Sequence, residues 1–162
     1  MSTVHRIAAL TAAALVVAPV ALARAAPRST QPPPRTMILT SPFNGGTSEY
    51  VDLGAPGFGP GDVFLATGVP LNDNASGRRV GALDGVETII FTAHDGTVSQ
   101  QATLRLSGGQ LTVSGVIRHT DTPIRLAVVG GTGRYIGARG QLTDLREDPV
   151  RKVTVFRLDI LR

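Results

Sequence analysis

The side chains in this sequence that could do chemistry are few, and most of them are carboxylates. None of the 162 residues is a cysteine, which removes thiol nucleophiles, thiolate metal sites and redox switching. Of the three histidines, His5 lies near the N-terminus, and His94 ("AHDGT") and His119 ("RHTDTP") sit among turn residues. That is a poor inventory for a metal site, and none is expected. Glu49 in "TSEYVD" and the acids Asp84 and Glu87 in "ALDGVETII" are instead embedded in runs of apolar and β-branched residues. A carboxyl group in an apolar cavity is pushed toward its neutral form, and two such groups can serve as acid and base near neutral pH.

A second candidate is the glycine-rich stretch "LAVVGGTGRYIGARG", Leu126 to Gly140. A loop that cradles phosphates needs a strand before it, a helix after it and room for further βαβ units. Only 29 residues (162 − 133) follow Gly133. The segment "IGARGQLTDL" alternates small or apolar residues with polar ones, which is strand spacing. The glycines therefore read as a tight reversal between strands.

These residues must be positioned by strands. Clusters such as "APGFGPGD", "NDNASG", "SGG", "GGTG" and "REDP" punctuate the chain, and runs rich in Val, Ile, Leu, Thr and Phe lie between them. Eight strands are predicted, over residues 47–53, 62–71, 79–91, 99–106, 110–118, 124–129, 136–145 and 150–161, and no segment of ten residues carries a helical stripe. The fold class is all-β, an eight-stranded antiparallel up-and-down β-barrel, with a sandwich as the alternative; closure removes sheet edges that would template aggregation. Asp62, after Gly61 at a strand start, reads as a turn residue. The third expected strand does not declare its inner face. One register buries Glu87 and the other Asp84, and periodicity does not choose between them.

The chain's ends have a different character. Residues 1–25 have a short basic start, the apolar run "IAALTAAALVVAPVALA" and the small-x-small pattern Ala23-Arg24-Ala25, which together read as a secretory signal peptide cut after Ala25 or Ala26. The run is Ala-rich, interrupted by Pro19 and short of the ~20 strongly apolar residues of a membrane span, so a secreted protein without stable membrane insertion is expected. Residues 26–42, opening with "APRSTQPPPRT", read as a disordered Pro-rich linker, and residues 43–162 as the barrel. Removing Arg6 and Arg24 with the leader lowers the net charge from +4 to 14 − 12 = +2. No basic run interleaved with aromatics occurs, so no nucleic-acid partner is expected.

Three blocks, "GDVFLATGVPLNDNASGRRVGALDGVETII", "GGQLTVSGVI" and "LAVVGGTGRYIGARGQL", resemble in order and spacing the plant dirigent proteins and the related allene oxide cyclases. The resemblance runs from about Gly61 to Leu142, and more loosely from Thr47 to the C-terminus. It implies an eight-stranded barrel with a largely apolar central pocket, no cofactor, and a homo-oligomer, a trimer as in most plant members or else a dimer. Allene oxide cyclases close an unstable epoxide, and dirigent proteins steer radicals or quinone methides into one stereoisomer. The resemblance places Glu49 at the family's first-strand pocket acid and Glu87 at the cyclases' pocket cysteine, so that both would face one lumen. Val51, Ile117 and Ile124 stand where the family carries asparagine, tyrosine and arginine. Glu49 and Glu87 are thus the candidate catalytic pair, with Ile89, Phe91, Ile117, Tyr135 and Phe156 as candidate pocket lining. The implied function is binding of a small hydrophobic or phenolic intermediate and direction of its cyclisation or coupling; the alternative is a lipocalin-like carrier that releases its ligand unchanged.

Overall fold

The computed structural model describes residues 34–91, 96–118 and 120–161, and the side chains of Phe91 and Arg146 lie outside the description. The expected leader, residues 26–33 of the expected linker, His94 and His119 fall outside it as well. Among the described residues there are nine strands: β1 (Arg35–Pro42), β2 (Thr47–Val51), β3 (Val63–Asp73), β4 (Arg79–Phe91), β5 (Thr97–Leu106), β6 (Gly109–Ile117), β7 (Ile124–Gly131), β8 (Arg139–Asp148) and β9 (Val153–Leu161). No helix among the described residues is long and apolar enough to cross a membrane.

Every pairing is antiparallel, in the order β1-β9-β8-β7-β6-β5-β4-β3-β2. The sheet closes on itself where β1 also pairs with β3, Leu39 opposite Asp73 and Thr40 opposite Asn72. Eight strands therefore form the ring, and β2 is a short extra strand that shares the free edge of β3 with β1. The seam explains a proline inside β3. Pro70 lies between Thr67, the last residue paired with β2, and Asn72, the first paired with β1, so its missing N–H costs no ladder bond there.

The first ring strand corrects the expected linker boundary. Residues 35–42 form β1 and contribute buried Leu39, Thr40 and Ser41. Only the short apolar run Met37–Leu39 marks this strand, and the adjacent prolines obscure it. The expected first strand is β2, with residues 47–51.

Alternation sets the inner face elsewhere. In β6, Leu111, Val113 and Ile117 are buried, and in β9 Leu158 and Ile160 are buried while Arg157 and Asp159 pair outside at 2.8 Å. The core fills one end of the barrel with Leu71, Leu104, Leu111, Tyr135, Ala138 and Ile160.

The glycine-rich stretch helps close this end, and no helix of α type follows it. A single 3-10 turn, Gly133–Tyr135, leads into β8, which starts at Arg139, later than the expected residue 136. The Thr132 amide donates to the Gln110 carbonyl and the Arg134 amide to that of Gly108, both at 2.9 Å, so this reversal is bonded to the β5–β6 hairpin turn. Gly133 has φ +58°, and a Cβ there would run into the Gly108 carbonyl. Gly130, in contrast, has open space around it. We therefore expect Gly133→Ala to destabilise the barrel by about 2 kcal/mol or more in urea unfolding, and Gly130→Ala to stay within about 0.5 kcal/mol of the wild type. Equal costs at the two positions would contradict this account of the turn.

Candidate functional site

The lumen is hollow because its middle row is made of small side chains. Ala66 of β3, Gly85 of β4 and Ala102 of β5 stand side by side across three strands and face Val113 of β6. Beyond the packed end these residues leave a cavity of about 570 Å³, within the usual range of small-molecule sites. Leu83, Val113, Ile117, Ile124, Leu126, Leu142 and Phe156 supply its apolar wall.

Into this wall are set a few polar groups. The Glu87 carboxylate lines the cavity, and the Gln100 amide on β5 donates to its Oε1 at 2.5 Å. Asp144 lines it from β8, level with Ile124 and Phe156 on the flanking strands. Glu147 and Thr154 lie opposite each other at the mouth, where Ser41 and Ser48 also reach the space. Among the described residues, no group of three or more His, Asp or Glu is arranged to hold a metal ion.

The inner register of β4 is the one that turns the half-buried Glu87 to the lumen. Asp84 faces outward, held by Arg105 Nε at 2.6 Å and by the Gly68 amide at 2.8 Å. The exterior ion pair takes Arg105, so Glu87 is not its partner. Glu49 is placed differently from the expectation that it shares the lumen with Glu87. It is exposed on β2, pairs with Leu65, and is absent from the cavity wall, while its neighbour Ser48 is present there. The cross-strand row Glu49, Leu65, Val86, Gln101 is one residue out of step with the row Ser48, Ala66, Gly85, Ala102, and of its members only Leu65 and Val86 border the cavity. Ile117 and Phe156 line the cavity. Ile89 and Tyr135 are buried at 1% exposure in the core and do not line it. The Tyr135 hydroxyl accepts from Arg134 at 3.0 Å within the turn that closes the far end.

Gln100, Asp144, Glu147 and Phe64 are lining residues that sequence reasoning missed. For two of them a signal existed. Gln100 alternates with Val98, Ala102 and Leu104, and Asp144 with Leu142, so each lies in phase with buried apolar residues. At Glu147 the bulge between Asp144 and Arg146 breaks the alternation.

A rim of aromatic rings stands at the mouth. Phe64 lines the cavity, with the Tyr50 ring 4.9 Å and the Phe58 ring 6.3 Å from it. The loop carrying Phe58 is tied down by Asp62, which is fully buried. Its carboxylate accepts from the Tyr50 hydroxyl at 2.6 Å and from the amides of Leu53 at 2.8 Å and Gly59 at 2.6 Å. Its own carbonyl accepts from the Ile89 amide at 2.9 Å, joining the loop to β4. Asp62 is thus a turn anchor, as its position after Gly61 suggests. The Tyr50 hydroxyl and then the Leu53 amide hold its carboxyl below the ordinary value, and the same bond pushes Tyr50 up to about 12.

A family model described as an allene oxide cyclase barrel like domain matches residues 62–157. The chain belongs to that family. No curated protein matches the sequence. Among solved structures, one named as a pyocyanin demethylase is 24% identical with a TM-score of 0.63, over 78% of this chain and 99% of that one. A pterocarpan synthase dirigent protein is 19% identical with a TM-score of 0.59, over 79% and 82%. A Diels-Alderase from Streptomyces koyangensis is 22% identical with a TM-score of 0.58, over 78% and 63%. At these identities the likeness is one of fold. The family model begins at the anchor residue Asp62 and spans every strand that lines the cavity except β1 and β2.

The anchor has a pH signature. Folding lowers the proton affinity of Asp62, so its contribution to stability is complete above the ordinary value of 3.8 and is lost as pH falls below it. We expect Asp62→Asn to unfold at lower urea than the wild type at about pH 6, and the gap to narrow on acidification to about pH 2.5. A gap that stayed constant across that range would contradict the assignment.

Proposed function

We propose that the lumen binds a small, mostly apolar molecule and directs its cyclisation or coupling, with Glu87 as the group that exchanges a proton with it. The observation that carries this reading is an open apolar cavity of about 570 Å³ with the Glu87 carboxylate inside it, oriented by Gln100. A reactive molecule enclosed by aliphatic walls has few conformers to choose from, and holding it close to the geometry of ring closure or coupling supplies rate and stereochemistry together. A carboxyl group at the reacting centre adds proton transfer, commonly worth about a hundredfold or more. The names of the fold neighbours, a pterocarpan synthase dirigent protein and a Diels-Alderase, support directed bond formation as the class of chemistry.

In the chemical steps open to Glu87, the neutral acid donates its proton to the oxygen of an epoxide or hemiketal as the C–O bond opens. The resulting carboxylate then removes a proton from the adjacent carbon, which restores the acid. No net oxidation or reduction is required. Gln100 is a positioning residue in this scheme, because its amide fixes the carboxylate plane.

The test is turnover against a panel of epoxide and phenolic substrates, with protein present at about one part in a hundred. The proposal expects a changed product distribution at that ratio. It also expects Glu87→Gln, folded by circular dichroism, to lose tenfold or more of that effect, while Glu49→Gln behaves as wild type. Full product yield and stereochemistry in Glu87→Gln would remove Glu87 from the chemistry. Stoichiometric binding with unchanged products would favour the carrier reading.

A further inference from the structure

The inward side chains change character at one level of the barrel. On β1 and β9, Leu39 stands opposite Phe156, and two residues nearer the mouth Ser41 stands opposite Thr154. Both members of the second pair line the cavity. The next strand joins them through an irregularity. β8 carries one extra residue between Asp144 and Arg146, and this shift places Glu147 opposite Thr154, in the inward phase. Without the bulge, Glu147 would fall out of phase with Leu142 and Asp144 and point outward. Two hydroxyls and a carboxylate thus stand side by side on β1, β9 and β8, at the spacing of about 5 Å usual for cross-strand neighbours. Ser48 on β2 adds a hydroxyl to the same mouth, and Phe43 and Phe64 line it while remaining 44% and 38% exposed.

We infer that this mouth is a subsite for a sugar ring, so that the lumen takes glycosides whose apolar body lies inside and whose hydroxylated ring lies at the opening. The inference rests on the reading that the lumen is a ligand site, and it names the substrate class. Adjacent hydroxyls of a sugar both donate, and the two oxygens of one carboxylate accept from the pair at once. Serine and threonine hydroxyls donate as well as accept, which suits the sugar's remaining oxygens. One face of a sugar ring is lined with C–H bonds, whose slightly positive hydrogens suit the negative face of an aromatic ring. The order of the groups along the lumen matches such a ligand end to end. Val113, Leu126 and Leu142 meet the apolar body, and Glu147, Thr154 and Ser41 meet the hydroxyls. A wholly apolar ligand reaching this level would strip water from the same polar groups and return no hydrogen bonds.

The experiment compares three probes that share one ring body: 2-naphthyl glucoside, its tetra-O-methyl ether and 2-methoxynaphthalene. Each is titrated into the isotope-labelled protein at pH 7, and the amide signals of Thr154 at the mouth and Val113 in the interior are followed. We expect the glucoside to move both signals and to bind at least about tenfold tighter than either of the other probes, the order of one hydrogen bond to a charged group. Glu147→Ala and Thr154→Val should each lower the glucoside's affinity severalfold and leave that of 2-methoxynaphthalene unchanged, while the exterior variant Glu49→Gln alters neither. Equal binding of the three probes in the lumen would overturn the sugar subsite and leave the lumen site standing. A glucoside advantage that survives both Glu147→Ala and Thr154→Val would overturn it as well. If none of the three probes moves the Val113 signal, both this inference and the ligand-site reading are overturned.

Discussion

Closure of the ring at one seam is the constraint on which the rest of this structure depends. β1 is held by β9 along its whole length but meets β3 through only two residue pairs, because β2 occupies the remainder of that edge. An open eight-stranded sheet would expose two edges to intermolecular pairing, and this chain has no cysteine with which to brace them. The seam is accommodated locally. Pro70 stands where β3 needs no outward donor, and the turn between β1 and β2 packs so closely over it that a Cβ at Gly45 would lie 2.6 Å from the Pro70 ring.

Once closed, the barrel is asymmetric along its axis. Bulky aliphatic side chains and Tyr135 fill the end where the Gly133 turn bonds to the β5–β6 hairpin, while the row Ala66, Gly85 and Ala102 leaves the middle empty. Polar groups gather toward the other end, and the Asp62 network ties the aromatic rim beside them to β4. The same chain thus builds a stable plug and a reactive-looking mouth from one strand alternation, differing only in side-chain size and polarity. An open lumen lined with carboxylates gives up stabilising contacts, which is the usual character of a site shaped for a ligand.

Much of this organisation could be read from the residues. Turn clusters separated the strands, and "LTVSGVI" and "KVTVFRLDI" alternate as half-buried strands do. Three features were hidden for definable reasons. β1 has too few apolar residues to stand out beside a run of prolines. β2 carries one apolar residue on each face, Tyr50 in phase with Ser48 and Val51 in phase with Glu49, so "TSEYVD" does not mark its inward side, and Glu49 is exposed. In β4 the two registers each bury one acid; only the outer partners of Asp84, Arg105 and the Gly68 amide, separate them. Those partners come from β5 and from the β3 bulge, contacts across strands that a local pattern does not encode.

The central claim is that the lumen is an empty, ligand-shaped space created by small residues and not a core that happens to be loosely packed. Ala102→Leu tests this most directly, because Ala102 lines the cavity and is itself only 4% exposed. The measurement is thermal unfolding of this variant together with binding of a small aromatic probe such as 2-naphthylmethanol. The account predicts a melting temperature at or above that of the wild type, since the added methyl groups enter open space, and loss of probe binding. A lowered melting temperature with probe binding retained would contradict it, showing that the space around Ala102 is already filled and that the probe binds elsewhere.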